Sequence, residues 1–245
     1  MSTAPVADQH RLLDVQALDT RLAQLAHAVR THPTRATVDD LAGRLVDVAA
    51  ALVESQTRAS DLRRELAKAE QDVEQVRQRA TRDQARLDSG SASVKDVQAL
   101  SSELEALGRR QGALEEVELE VMERLEAHES ALAELTTAHT ALVEQQEAAT
   151  AAMSAALEEL EAEAERVRTE RAEQVEGLDE ALVARYERLR LQLSGLAVAA
   201  LRGRRCEGCR LELNPTDVSH INAAPPEQVV TCEECGRILI RDAAS

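Results

Sequence analysis

The sequence predicts a mainly α fold, in which a long antiparallel coiled-coil helical hairpin precedes a small C-terminal module. The first observation is compositional, because the 245 residues include no Phe, no Trp and a single Tyr. The chain is instead rich in Ala, Leu, Glu and Arg, a mixture that suits long helices and lacks the bulky side chains of an ordinary globular core. The second is that no proline occurs between Pro33 and Pro215, so long helices are allowed. The third is that all four cysteines fall in the last forty residues.

The first two predicted helices form one arm of the hairpin. Apolar residues recur over residues 15–29 in alternating steps of three and four, and a heptad stripe then runs over residues 41–80. A break near 32–37 separates the two helices, since it contains a proline, which disfavours helical backbone at the preceding residue. Thr37 with Asp40 resembles a capping box, which predicts that the second helix restarts there.

The third predicted helix returns along the first arm. Residues 88–93 are rich in Asp, Ser and Gly, which is typical of a tip, and Ser93 with Asp96 resembles a second capping box. The apolar stripe that follows covers residues 97–167, and at about 1.5 Å per residue its length matches the first arm. We therefore expect residues 1–174 to form an antiparallel coiled-coil hairpin within one chain. A long parallel dimer would bury the same stripes and is the alternative.

Residues 175–245 are expected to form a second domain, which starts with a connector helix. Asp179 to Leu193 has the pattern of a separate amphipathic helix, and Asn214 before Pro215 predicts an N-cap followed by a short helix. The apolar run over residues 196–201 is too short for its periodicity to decide between helix and strand. Strand-like segments flank the second pair of cysteines, at residues 229–231 and 237–241.

The four cysteines form two CxxC pairs with the spacing of a zinc ribbon. The pairs are separated by 22 residues and consist of Cys206, Cys209, Cys232 and Cys235. Each pair lets two thiolates converge on one ion at about 2.3 Å, and Gly208 and Gly236 suit the turns that this requires. Four thiolates close the coordination shell, which predicts one structural Zn²⁺ per chain and no catalytic metal. The alternatives are two disulfides, a dithiol redox centre, or replacement of one cysteine ligand by His220.

The charge of the chain restricts how it could bind nucleic acid. The net charge is −16, and residues 202–245 carry 6 basic and 7 acidic residues, so the acidic excess lies in the helical part. An acidic surface repels phosphate, so any contact with RNA or DNA requires a local basic patch. The alternative is that the arginines near the cysteines only solubilise the module. These candidate partner-binding residues are Arg202, Arg204, Arg205, Arg210, Arg237 and Arg241.

No motif in the sequence indicates catalysis or insertion into a membrane. The chain has no Ser-His-Asp order, phosphate-binding glycine loop or paired carboxylate with a plausible pocket. His128 and His139 lie on the third stripe about 16 Å apart, too far for one ion, so we expect them to be polar interruptions that fix helix register. Since there is no apolar leader and no run of 18 apolar residues, we expect a cytoplasmic protein whose thiols stay reduced.

Two segments around the cysteines carry a resemblance to a known family, CEGCRLELNP over residues 206–215 and CEECGRIL over residues 232–239. They resemble the zinc ribbon of bacterial coiled-coil hairpin proteins with a C-terminal C4-type zinc ribbon, the RING-7-type zinc ribbon proteins. Residues 186–190 resemble the connector helix of the family, and residues 90–103 resemble its hairpin tip. The family implies a long helical hairpin that holds a zinc ribbon, without known catalysis, and a ribbon strand at 196–201. For some members in flagellated bacteria it implies a regulatory role through an alternative sigma factor or RNA.

These observations predict a non-enzymatic zinc-ribbon adaptor that binds a macromolecular partner, protein or nucleic acid, in the transcription or RNA machinery. The lack of aromatic residues argues against binding of single strands by base stacking. The alternative is a structural coiled-coil spacer whose zinc ribbon only stabilises the fold. We expect no small-molecule substrate and no membrane partner, and a chain that is a monomer or a weak dimer.

Overall fold

A computed structural model describes residues 2–90 and 93–241 of the chain. The structure is a long helical hairpin followed by a small region of short strands and one short helix, which confirms the predicted fold class. It divides into two compact units, Met1–Arg35 with Ala151–Ser245, and Ala36–Thr150. The elements in chain order are α1 (Val6–Arg30), α2 (Pro33–Asp88), α3 (Val94–Val175), α4 (Glu180–Gln192), β1 (Val198–Arg202), β2 (Arg205–Cys206), α5 (Pro215–Ala223), β3 (Val230–Thr231) and β4 (Ile238–Ile240).

In the unit of residues 36–150, helices α2 and α3 pack antiparallel. Arg63 pairs with Glu129 at 2.5 Å and Arg77 with Glu115 at 2.6 Å, so rising residue numbers in α2 meet falling numbers in α3. Between the helices lie buried members of the predicted stripes, because heptad spacing places them on facing surfaces. These buried residues are Leu41, Ser55, Ala59, Leu62, Ala69, Val73 and Val76 of α2 and Leu100, Leu107, Val121 and Leu142 of α3.

The start of α2 differs from the sequence prediction. The helix begins at Pro33 rather than after a capping box at Thr37 and Asp40, both of which lie inside it. The physical reason is that proline has no N–H to lose at the first helical position and its φ is already helical. Proline therefore starts this helix and confines the break to the two residues before it.

The start of α3 agrees with its predicted capping box. The hydroxyl of Ser93 donates to Asp96 Oδ2 at 2.6 Å, and the backbone N–H of Asp96 points back to Ser93 Oγ at 3.3 Å. At the predicted tip, α2 ends at Asp88 and Gly90 has a φ of +66°, which favours glycine. Ser91 and Ala92, also part of the predicted turn, lie outside the described residues.

The C-terminal strands form one mixed sheet in the order β2-β1-β4-β3. β1 is parallel to β4, whereas β2 and β3 are antiparallel to their neighbours. The ambiguous run at 196–201 contributes β1, as the family resemblance implied. The predicted strands near 229–231 and 237–241 and the predicted short helix are also present, and Asn214 caps that helix by accepting from the N–H of Thr216.

The N-terminal residues pair with the chain just before β3, a contact that the sequence did not predict. The N–H of Ala4 donates to the carbonyl of Glu227 at 2.8 Å, and the N–H of Val229 donates to the carbonyl of Ser2 at 3.0 Å. Nε2 of Gln9 adds a bond to the carbonyl of Pro226 at 3.2 Å. These bonds fix the beginning of the chain to the C-terminal module.

The sheet buries apolar side chains on both faces, because successive residues of a strand point to opposite sides. On one face, Ile238 and Ile240 of β4 pack with Leu12 and Val15 of α1 and with α4. On the other face, Leu239 packs with Cys206, Cys232 and Ile221 of α5. The module of short strands and helix α1 therefore share one hydrophobic core within the unit that contains them.

Candidate metal centre

Two short turns, here called the first and second knuckles, bring the four cysteines together. The first contains Cys206 and Cys209, and the second contains Cys232 and Cys235. Cys206 ends β2, and the N–H of Arg210 closes the first knuckle by donating to its carbonyl at 2.7 Å. Cys232 follows β3, and the N–H of Gly236 closes the second knuckle in the same way at 2.8 Å. Because β3 pairs with β4 and β4 with β1, which pairs with β2, the sheet holds the two knuckles side by side.

The sulfur atoms form a cluster of the size that zinc requires. All four Sγ atoms lie within 4.8 Å of one another, and the pairs Cys206–Cys235 and Cys209–Cys232 are 4.0 Å apart. A tetrahedral site with Zn–S bonds of about 2.3 Å has sulfur–sulfur edges of about 3.8 Å. The cysteines are free, since a disulfide would bring two sulfurs to about 2.05 Å. His220 lies exposed on α5 and does not belong to the cluster.

The residue after each pair of cysteines has a left-handed backbone conformation, but the residue type differs between the two knuckles. Gly236, after the second pair, has a φ of +72°, and Arg210, after the first pair, has a φ of +64°. The left-handed region is free of strain for glycine and costs other residues about 1 kcal/mol or more. The first knuckle therefore keeps an arginine where the second uses the favoured residue.

Gly208, inside the first knuckle, is required for packing. A Cβ atom at this position would lie 2.7 Å from Cδ of Arg237 and 2.9 Å from Cβ of Ala199. The sequence predicts a turn at this glycine and does not reveal the close approach. The signal that sequence offers is a glycine between two ligands of a CxxC pair, which is compatible with either reason.

Burial and hydrogen bonding act in opposite directions on the thiols. Burial raises the pKa of Cys206 above its ordinary value and that of Cys232 to about 12. Burial acts upward at Cys235 too, but hydrogen bonds from the backbone N–H and the side chain of Arg237 contribute to lowering the pKa of this thiol to about 7. Zinc must therefore displace protons from thiols that burial favours in the protonated form.

Four of the six predicted arginines are exposed around the first knuckle. Arg202 and Arg205 face each other across β1 and β2, and Arg204 lies in the turn between them. Arg204 donates to Glu212 at 3.2 Å, an exposed ion pair. Arg210 follows the first pair of cysteines. The β1–β2 turn therefore gathers like charges.

The other two predicted arginines bond to the backbone of the ribbon. Nε of Arg237 donates to the carbonyl of Leu196 at 2.9 Å. The terminal nitrogens of Arg241 donate to five carbonyl oxygens, at distances between 2.7 and 3.0 Å, in the segment from Ile221 to Gln228. The structure thus does not place these guanidinium groups with the exposed four, because they satisfy carbonyls that short loops leave without partners.

One histidine of the third stripe, His128, takes part in the helix pairing. Nε2 of His128 lies 2.9 Å from the carbonyl oxygen and 3.1 Å from Oγ of Ser55 on the facing stripe. This agrees with the expectation of a polar interruption at that level. His128 does not belong to the cluster of metal-binding side chains in the described part of the chain.

Two family models match the chain and together cover most of it. The model of the CT398-like coiled coil hairpin domain matches residues 15–194, and that of the C4-type zinc ribbon domain matches residues 205–239. The ribbon match and the clustered thiols agree on one structural zinc ion, held by the four cysteines. Neither model describes an enzyme. None of the described helices combines the length and apolar character needed to cross a membrane.

Mycobacterial proteins are similar to the chain over nearly its whole length. The protein Rv2229c of Mycobacterium tuberculosis (strain ATCC 25618 / H37Rv), described as uncharacterized, is 34% identical over 242 residues, which cover 97% of each chain. ML1638 of Mycobacterium leprae (strain TN), described likewise, is 29% identical over 229 residues, which cover 92% of this chain and 97% of that one.

Two solved structures resemble the fold. A structure from Mycobacterium smegmatis has 35% identity and a TM-score of 0.86, and the match covers 98% of this chain and 100% of that one. CT398 from Chlamydia trachomatis has 18% identity and a TM-score of 0.68, and the match covers 96% and 98%. The second likeness, at this identity, concerns the fold alone.

Proposed function

Since the chain belongs to the CT398-like coiled-coil hairpin family, we propose that it is a non-enzymatic adaptor whose zinc ribbon binds a macromolecular partner from a coiled-coil scaffold. The partner is a protein or a nucleic acid of the transcription or RNA machinery, and it offers carboxylate or phosphate groups to the ribbon. The hairpin and the ribbon supply structure, and no described residue is assigned a catalytic role.

The observation that carries the proposal is the pair Arg202 and Arg205. They are register partners on adjacent antiparallel strands, where directly opposed like charges repel each other. Both side chains are exposed, and Arg204 adds a third guanidinium group in the turn between them. An anionic group bound between two arginines would remove this repulsion and satisfy their planar forks of N–H donors.

Arg210 supports the same surface for a different reason. Its backbone has a φ of +64°, in a position where the second knuckle carries glycine. The chain therefore tolerates a conformational cost to place an exposed arginine beside the first pair of cysteines. We take Arg202, Arg204, Arg205 and Arg210 as the contact surface, here called the arginine surface. Arg237 and Arg241 add charge to the module with their guanidinium groups already bonded to its backbone.

The composition of the chain favours charge contacts over base stacking. The only aromatic residue, Tyr186, is 1% exposed and so offers no platform for a base. If the partner is nucleic acid, binding should then follow backbone charge and weaken steeply with salt, with a log–log slope of about −0.9 per phosphate for duplex DNA and about −0.7 for single strands.

The test is affinity capture from the host with the full-length protein as bait, at low salt, with and without nuclease. The variant Arg202→Glu/Arg205→Glu should lose the partner while zinc content and helicity stay unchanged. A matched control, Arg109→Glu/Arg110→Glu, changes the net charge equally on an exposed part of α3 and should keep the partner. Loss of the partner on nuclease treatment would indicate nucleic acid, and its persistence would indicate protein.

The alternative function is a structural spacer whose zinc ribbon only stabilises the fold. One observation favours it, because the sheet shares its hydrophobic core with Leu12 and Val15 of α1. A ribbon that is needed to complete a core has a structural role even without a partner. Failure to capture any partner would favour this function, whereas equal capture by both charge-reversal variants would move the contact surface to the hairpin.

A further inference from the structure

Arg237 contacts both knuckles of the zinc centre. It lies two residues after Cys235, and its Cδ atom passes directly over Gly208 of the first knuckle, at the place where a side chain would begin. Its carbonyl accepts the N–H of Cys232 at 2.8 Å, and its Nε donates to the carbonyl of Leu196, just before β1, at 2.9 Å. One side chain therefore spans from the second knuckle across the first to the sheet.

The negative charge of a zinc–thiolate centre would be stabilised by a positive side chain at this position. Four thiolates and one Zn²⁺ leave a net charge of about −2, which is costly where two of the sulfurs are buried. The acidic residues Glu207, Glu233 and Glu234, which lie inside the knuckles, increase the negative charge nearby. A half-buried guanidinium group beside this centre attracts its negative charge more strongly than an exposed arginine would, because solvent screens the attraction less.

We propose that Arg237 is the counter-charge of the zinc–thiolate centre, and that residue 208 is glycine so that this guanidinium group can lie across the first knuckle. Together the two residues set how tightly the metal is held. Arg237 thus acts through the four ligands rather than by binding the metal. This inference concerns the retention of zinc and is independent of any partner on the arginine surface.

The test is the rate at which zinc passes from the full-length protein to the colorimetric chelator 4-(2-pyridylazo)resorcinol. Arg237→Gln keeps much of the side chain but removes the charge, and should speed release by about ten- to a hundredfold, the effect usual for residues that support metal ligands. Arg237→Lys keeps the charge but loses the planar set of N–H donors, so its rate of zinc release should lie between those of the original protein and Arg237→Gln. The matched control Arg188→Gln removes an exposed arginine of α4 and should release zinc at the original rate.

Gly208→Ala separates the position of the guanidinium group from its charge. The added Cβ would approach Cδ of Arg237 to 2.7 Å, so the arginine must move although its charge remains. Release should accelerate as in Arg237→Gln. If both changes act through one contact, the double variant should release zinc no faster than the faster single variant. Additive rates would overturn the proposed link between the two residues.

Alkylation of the zinc-loaded protein distinguishes a counter-charge from general support of the fold. Loss of the neighbouring positive charge should make Cys235, which lies two residues before Arg237, react with iodoacetamide faster than Cys209, as read by mass spectrometry of the peptides. Collapse of the ribbon would expose all four thiols together. Release of zinc from Arg237→Gln at the original rate, or equal alkylation of all four cysteines, would refute the proposal.

Discussion

The hydroxyl of Tyr186 donates a hydrogen bond of 2.7 Å to Oδ2 of Asp19, and both residues are buried. The same carboxylate accepts two bonds from Arg171, at 2.7 and 3.0 Å, so that it joins α1, α3 and α4. Burial, with the bond to Asp19, raises the pKa of the Tyr186 hydroxyl above its ordinary range. The tyrosine therefore remains a donor at all pH values at which the protein is handled.

Removing either member of this pair should destabilise the protein by different amounts. Tyr186→Phe leaves Asp19 paired with Arg171, so we expect a loss of about 1–2 kcal/mol in the free energy of unfolding. Asp19→Ala removes the acceptor that Tyr186 and Arg171 share and leaves Arg171 only its bond to Glu187, so it should cost more, about 3 kcal/mol. Urea denaturation of zinc-loaded protein measures both. Glu163→Ala, which breaks an exposed pair with Arg21, is the control and should cost at most about 1 kcal/mol. Equal losses for all three would contradict this view.

Zinc removal should unfold the ribbon and spare most of the helical signal. Elemental analysis of the reduced protein should find one zinc per chain, and Cys209→Ser should lower this content, because four thiolates complete the site. The far-UV circular dichroism should fall only slightly after chelation, since α2 and α3 bury their own stripes. Absence of metal, or loss of the whole helical signal on chelation, would refute the prediction.

The residues that follow the two knuckles should respond differently to substitution. Gly236→Ala forces a side chain into the left-handed region and should destabilise the ribbon by about 1 kcal/mol. Arg210→Gly relieves that strain but adds freedom to the unfolded chain, so the net change should be below about 1 kcal/mol. The midpoint of zinc loss in a chelator titration measures both variants. A larger loss for Arg210→Gly than for Gly236→Ala would show that the arginine side chain supports the fold.

The capping box at the start of α3 predicts a specific pH dependence. The hydroxyl of Ser93, followed by its backbone N–H, lowers the pKa of Asp96. Because the folded pKa lies below the unfolded value, the bond stabilises the helix start above the unfolded pKa, and the gain disappears as the pH falls through the folded pKa. Ser93→Ala should raise the pKa of Asp96, as measured by NMR titration of its carboxyl carbon. Ser101→Ala, whose hydroxyl bonds a backbone carbonyl, should leave it unchanged.

The polar pair inside the hairpin should show strong coupling. His128→Leu or Ser55→Ala alone removes one partner of a part-buried contact and should cost about 1 kcal/mol. The double change replaces both partners by apolar groups and should be nearly neutral, because no polar side chain is left unpaired. Urea denaturation of the four proteins of this cycle gives the coupling energy. Strict additivity would mean that the two side chains do not interact.

Patterns that repeat were predictable from the sequence, and contacts between distant residues were not. Heptad spacing identified α2 and α3 because many positions report the same periodicity, and the CxxC pairs identified the ligands because metal geometry restricts the spacing. A short run such as residues 196–201 has too few positions to fix a period, and only its neighbours in the sheet make it a strand.

The sequence was also weak where one residue has two possible uses. Pro33 both breaks and starts helices, and the structure uses it to start α2. Six arginines near the cysteines looked alike in the sequence, but Arg241 is directed to backbone carbonyls by the loop that wraps around it. The tertiary structure decides such cases, because the partner of a guanidinium group lies far away in sequence.

The pairing of residues 2–4 with the segment before β3 can form only after most of the chain has been synthesised. Gln9 bonds to a carbonyl that lies 217 residues later, so at a synthesis rate of about 5–20 residues per second it waits roughly 10–45 seconds for its partner to be made. The ribosome therefore makes residues 2–9 long before the segment that they bond to, and these residues stay without those hydrogen bonds until residues 226–229 have been made.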